Sequence, residues 1–188
     1  MNNNPKLFMV LLGCTPKGRV TEQHDVFFGI ATHLNELTPQ MNLFWPEAEG
    51  KLHIDAWREV TVVNGFSVEV SSLKNLNSSG ENNLYFLNLG GYKPGDFEEY
   101  HYKMLTVSTN VATAIKESKK TAFFKHYGYK GAVSHIDDKY GIDIDDFHTV
   151  NDLLSEETKS NFQLHISCLV EPKEDDEFHI GYLKLKKS

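Results

Sequence analysis

Residues 13–25 read GCTPKGRVTEQHD, and residues 90–102 read GGYKPGDFEEYHY. Each stretch has a glycine, a second glycine five places on, a glutamate four after that and a histidine two after the glutamate. Shifting the chain by 77 positions pairs residues 7–32 with 84–109 without a gap, and seven of the 26 positions are identical: Leu7/Leu84, Leu12/Leu89, Gly13/Gly90, Gly18/Gly95, Glu22/Glu99, His24/His101 and Thr32/Thr109. Unrelated segments of ordinary composition would share roughly one or two. Other pairs keep their character, as in Phe8/Tyr85, Val10/Leu87 and Ile30/Val107. The match resumes at HID, His53–Asp55 against His135–Asp137, and again at NGFSVEV (64–70) against SNFQLHI (160–166). The expectation is an internal duplication. Two long copies imply a pseudo-twofold arrangement, because a solenoid needs three or more short repeats to bury its faces.

Local patterning gives the unit its elements. KLFMVLL (6–12) is an apolar run of buried-strand type that ends in the glycine loop. From Glu22 the chain alternates, so Glu22, His24, Val26, Phe28 and Ile30 share one strand face, as do Glu99, His101, Lys103, Leu105 and Val107. Both copies then reach a threonine, Thr32 or Thr109, as a candidate helix cap. NVATAIKESKKTAFFKH (110–126) is rich in helix formers, whereas Pro39 interrupts the first copy and restarts its helix with Thr38 as cap. Asn64-Gly65 marks a tight hairpin between LHIDAWREVTVV and FSVEV, because both residues tolerate positive φ. The fold class is therefore α+β: a duplicated β-β-α-β-β unit with mostly antiparallel sheets and helices packed on one face. The first copy is expected at 1–70 and a polar linker at 71–83. The second copy spans 84–188, with a helical insertion at HTVNDLLSEETKSN and an extra C-terminal strand at FHIGYLKL. The acidic EPKEDDE before that strand is expected to be a solvated loop.

The runs KLFMVLLGCTPKGRVTEQHDVFF, LHIDAWREVTVVNGFSVEV and LYFLNLGGYKPGDFEEYH resemble domain-of-unknown-function family number 1543, whose domain is found in one or two copies per chain. The likeness covers residues 6–70 and about 84–138. It implies duplication, and it carries no activity and no site residue.

Composition narrows the function. The chain has 188 residues, 40% of them hydrophobic and 12% aromatic, enough to bury a substantial core. It has no apolar run of membrane-span length, and MNNNPK lacks the basic start and apolar stretch of a signal peptide, so a cytoplasmic location is expected. Its two cysteines, Cys14 and Cys168, show neither CxxC spacing nor a disulfide framework. Cys14 aligns with Gly91, which argues against a catalytic thiol. A formal charge of −7 argues against a nucleic-acid partner.

GCTPKG has the glycine spacing of a phosphate-binding loop, but Arg19-Val20 and a strand follow where that motif needs Lys-Ser/Thr and a helix. The candidate site residues are instead Glu22, His24, His53 and Asp55, with Glu99, His101, His135 and Asp137 in the second copy. On extended strands each i, i+2 pair sets a carboxylate beside an imidazole, and adjacent strands would bring two histidines and two carboxylates together. Such a set suits a ligand, an ion or acid–base chemistry. The plainer reading makes these residues struts that clamp the loop and satisfy its buried N–H groups. No cofactor or resident metal is assigned. The preferred function is a non-catalytic module that binds a small ligand or protein partner between the copies, leaning away from catalysis. The alternatives are a metal-dependent or acid–base hydrolase-like enzyme, and a structural protein that pairs as a homodimer through its edge strands.

Overall fold

The computed structural model describes residues 4–73, 81–92, 95–126 and 143–185, and the chain divides into two compact units. The first comprises residues 1–80 and 153–188, the second 81–152.

In the first unit the apolar run becomes β1 (Lys6–Cys14), flanked by β2 (Gln23–Ala31) and β3 (His53–Glu59). Both pair antiparallel with β1, and β10 (His179–Lys184) adds to the far side of β3, giving the order β10-β3-β1-β2. As the central strand, β1 buries Leu7, Phe8, Val10 and Leu12. Between β2 and β3 lie a 3-10 turn (Leu34–Leu37), α1 (Thr38–Phe44) and a second short turn (Pro46–Ala48). Leu37, Met41, Ala48 and Leu52 from this segment close a core with Phe8, Val10, Leu12, Phe27 and Ile54.

A second sheet, order β4-β5-β9, is built from β4 (Val62–Val63), β5 (Phe66–Ser72) and β9 (Phe162–Cys168). The hairpin at Asn64-Gly65 forms as its dipeptide requires, with φ of 39° and 85° at the two residues. The helical insertion supplies α3 (Val150–Leu153) and α4 (Glu156–Asn161), the latter capped by Ser155 accepting from the Thr158 N–H.

The second unit has β6 (Asn83–Tyr92) at the centre, with β7 (Glu99–Ser108) and β8 (Asp143–Thr149) antiparallel on either side. Helix α2 (Val111–His126) packs on β6 and β7, with Ala114, Val111 and Ile115 against Tyr85, Leu87 and Leu89. Its cap is Asn110, whose side chain accepts from the Thr113 N–H, so the cap lies one residue past the expected Thr109. In the first unit Leu37, not Thr38, precedes α1.

The registers of the two units coincide. Lys6↔Ala31 through Cys14↔Gln23 in the first hairpin become Asn83↔Ser108 through Gly91↔Tyr100 in the second. Likewise Phe8↔Glu59, Leu12↔Ile54 and Gly13↔His53 become Tyr85↔Thr149, Leu89↔Ile144 and Gly90↔Asp143. Even the irregularity recurs, between Leu11 and Leu12 and between Asn88 and Leu89. Asp143 therefore takes the place opposite the glycine that the sequence comparison gave to His135. His135 and Asp137 lie outside the described residues.

The expected second copy at 84–188 is not one compact unit. Strands β9 and β10 lie with the first unit, because β9 hydrogen-bonds along the whole of β5 and β10 along β3. The EPKEDDE loop is also less idle than expected. Asp176 accepts from the Thr61 N–H at 2.8 Å, the Val62 N–H at 3.1 Å and the Thr61 hydroxyl at 2.5 Å, fixing the turn between β3 and β4.

The β5–β9 ladder pairs Val68 with Ile166, Val70 with Leu164 and, at its centre, Glu69 with His165. Aligning Phe66 with Phe162 makes this register identical when the strands are exchanged. Swapping the central pair should therefore be tolerated. Glu69→His or His165→Glu alone places like residues opposite each other and should cost about 0.2–1 kcal/mol in thermal melts at low salt. The double swap should return to the parent's midpoint, and a double variant no better than the singles would refute the equivalence.

Candidate functional site

Three strands position the site in the first unit. Gly13 on central β1 lies directly opposite His24 on β2 and His53 on β3. Side chains from the two outer strands must therefore meet across β1, and a side chain at position 13 would block them. A Cβ on Gly13 would stand 2.3 Å from His53 Nε2 and 2.4 Å from Asp55 Oδ2. This glycine provides space, while positive φ is needed at Gly18 (81°), in the turn where the Arg19 N–H donates to the Pro16 carbonyl.

Across that gap all four candidates of the first copy converge. His53 Nε2 lies 3.1 Å from Glu22 Oε1 and 3.3 Å from Asp55 Oδ2. His24 Nε2 lies 3.2 Å from the same Asp55 oxygen and 3.6 Å from Glu22 Oε2. The His53 side chain is 10% exposed, with the Tyr182 ring of β10 packed 4.6 Å from its own, whereas the His24 side chain is 40% exposed. These contacts have ion-pair length without hydrogen-bond alignment, and Asp55 Oδ2 is buried without a hydrogen-bond partner. The heads rest against one another; among the described residues no group of three or more His, Cys, Asp or Glu is a ready-made metal cage.

The strut reading expects these side chains to be tied to the loop backbone or to a neighbouring carboxylate, and the contacts formed are with carboxylates. Residues 17–25 are exposed, with Val20 at the loop tip bare to solvent, and within the loop the Arg19 N–H is taken by the Pro16 carbonyl. Among the described residues His24 meets carboxylates and not loop backbone. In the second unit Glu99 and His101 keep their strand positions, with His101 opposite Gly90, and the backbone at Asp143 and Asp145 occupies the register of His53 and Asp55.

Sequence reasoning missed the groove beside this cluster. An open groove of about 810 Å³ runs between the glycine loop and the chain following α1, lined by Lys17, Arg19, His24, Phe44, Trp45 and Glu47. Its walls combine the two loop cations with carboxylates from Asp25, Glu47 and Glu49 and with two aromatic rings. The signal was local: Pro46 ends α1 immediately after Phe44-Trp45 and leaves both rings at the sheet's rim.

Cys14, next to the cluster, belongs to the core. Burial raises its thiol above the ordinary range, opposed by nearby Lys51 and reinforced by Glu22.

Residues 19–70 match a family described as Domain of Unknown Function (DUF1543). No curated protein matches the chain. Among solved structures, the crystal structure of a protein Il1583 from Idiomarina loihiensis is similar, with a TM-score of 0.64 and 18% identity over 98% of this chain and 100% of that chain. That likeness concerns the fold. No helix of the described residues is long and apolar enough to cross a membrane.

Two outcomes test this geometry. Gly13→Ala should lower stability by about 1–3 kcal/mol in denaturant unfolding, because the methyl group must displace His53 and Asp55 from a filled space. A thiol reagent should label exposed Cys168 in the native protein and reach Cys14 on unfolding; equal rates at the two would contradict the packing.

Proposed function

We propose that the first unit is a binding module for a small polar ligand held in the groove beside the cluster. The observation that carries this reading is the double position of His24, which lines the groove and belongs to the quartet assembled over Gly13. Lys17 and Arg19 suit an anionic group, Glu47 and Glu49 a cationic or donor group, and Trp45 offers a flat apolar face. Opposite charges at the two walls favour a zwitterion, such as a free amino acid, over a polyanion. The enzymatic reading shares the residues: His24 is an imidazole at the groove wall beside a carboxylate, the arrangement that acid–base catalysis requires.

Internal duplication is part of this proposal. It is supported by the shared hairpin register, the recurring irregularity and the exchangeable β5–β9 ladder. On this reading β3 corresponds to β8 and β5 to β9, and the second copy has kept Glu99 and His101 while placing Asp143 where the first has His53. The fully equipped site is then the first copy's.

Trp45 reports on occupancy. Titrating the protein with a panel of free amino acids, with inorganic phosphate as the anion control, should change its fluorescence for a subset of the amino acids. The response should weaken at least tenfold in Lys17→Ala/Arg19→Ala and vanish in Trp45→Phe. A response that survives both variants would place binding elsewhere.

A further inference from the structure

The quartet of Glu22, His24, His53 and Asp55 has features that ligand binding in the groove leaves unexplained. His53 is nine-tenths buried, and the Asp55 oxygen between the two imidazoles is sealed from solvent without a hydrogen-bond partner. A buried carboxylate oxygen is normally satisfied, because leaving it bare costs the desolvation it has lost. Here two ring nitrogens lie within 3.3 Å, yet neither N–H is aligned on it.

We propose that these four side chains close around a divalent transition-metal ion of the zinc type. Two imidazole nitrogens and two carboxylate oxygens are the donors zinc takes in four-coordinate sites, and a calcium or magnesium site would use oxygens alone. Zinc bonds of about 2.0–2.1 Å with tetrahedral angles hold donor atoms about 3.3 Å apart. The four imidazole–carboxylate separations run from 3.1 to 3.6 Å. As they stand the side chains form no ready cage, and binding requires them to move apart from their present mutual contacts. Glu22, half-exposed at the end of the loop, is free to swing outward, while His53 and Asp55 are held by β3 and by the Tyr182 ring. The absent Cβ at Gly13 is then the clearance that such an ion and its donors need over the central strand.

The full chain, without an affinity tag and stripped of metal by chelator, is titrated with Co²⁺ and separately with Zn²⁺. Co²⁺ should develop the visible absorption of a four-coordinate site and saturate at one equivalent per chain, and Zn²⁺ should displace it. His24→Ala and the isosteric Asp55→Asn, each checked for folding by circular dichroism, should lose that band and the bound equivalent. Lys17→Ala/Arg19→Ala should keep both, which separates this proposal from the groove reading. Absence of the band, or retention of the metal in folded His24→Ala and Asp55→Asn, overturns it.

Discussion

A hydrogen atom at the end of the central strand governs the first unit. Because Gly13 has no Cβ, side chains from β2 and β3 can touch across β1, which in an ordinary sheet keeps its outer neighbours apart. The contact of His53 and Asp55 with His24 and Glu22 depends on that clearance. The imidazoles and carboxylates share one small volume over Gly13, while Leu12 and Cys14 on either side of it belong to the apolar core. A polar cluster at the end of a strand costs less than one at its centre, since part of each head keeps contact with water. His24 and Glu22 keep that contact, and His53, packed by Tyr182, has largely lost it.

The second constraint is register. A one-residue slip turns every side chain of a strand to the other face. Coincidence of both ladders in both units, including the place where each slips, therefore fixes which residues face each other over Gly13 and over Gly90. The first sheet recruits β10 on its β3 edge. There Trp57 stacks on His179 at 4.0 Å and Tyr182 reaches His53, so the last strand of the chain seals one side of the quartet.

Much of this was legible in the residues. Alternation placed Glu22 and His24 on one side and His53 and Asp55 together, and the repeated spacing pointed to the glycine loop as the place to look. The dipeptide at 64–65 named its own turn, and Gly18 and Gly95 both take the positive φ that a loop bend requires. What misled was identity taken for equivalence. HID at 135–137 copies His53–Asp55 letter for letter, yet the strand in the matching register is Asp143–Thr149, which shares with β3 the isoleucine at Ile54/Ile144 and the aspartate at Asp55/Asp145. Strand pairing depends on which backbone edges meet, and a three-letter match carries no information about that. The return of β9 to β5 and of β10 to β3 was hidden for the same reason, since both contacts join segments about a hundred residues or more apart.

The difference between Gly13 and Gly90 bears most directly on function. Loop geometry alone would demand the same struts in both halves, and the same struts would keep the same residues. The first half sets His53 and Asp55 over its glycine, whereas the second sets Asp143 and Asp145 at those register positions while retaining Glu99 and His101. Exchanging imidazole for carboxylate changes charge, reach and donor type together, which no requirement of loop closure explains. The strand frame is thus the same in the two units, while the residue types at the register positions opposite the glycine differ.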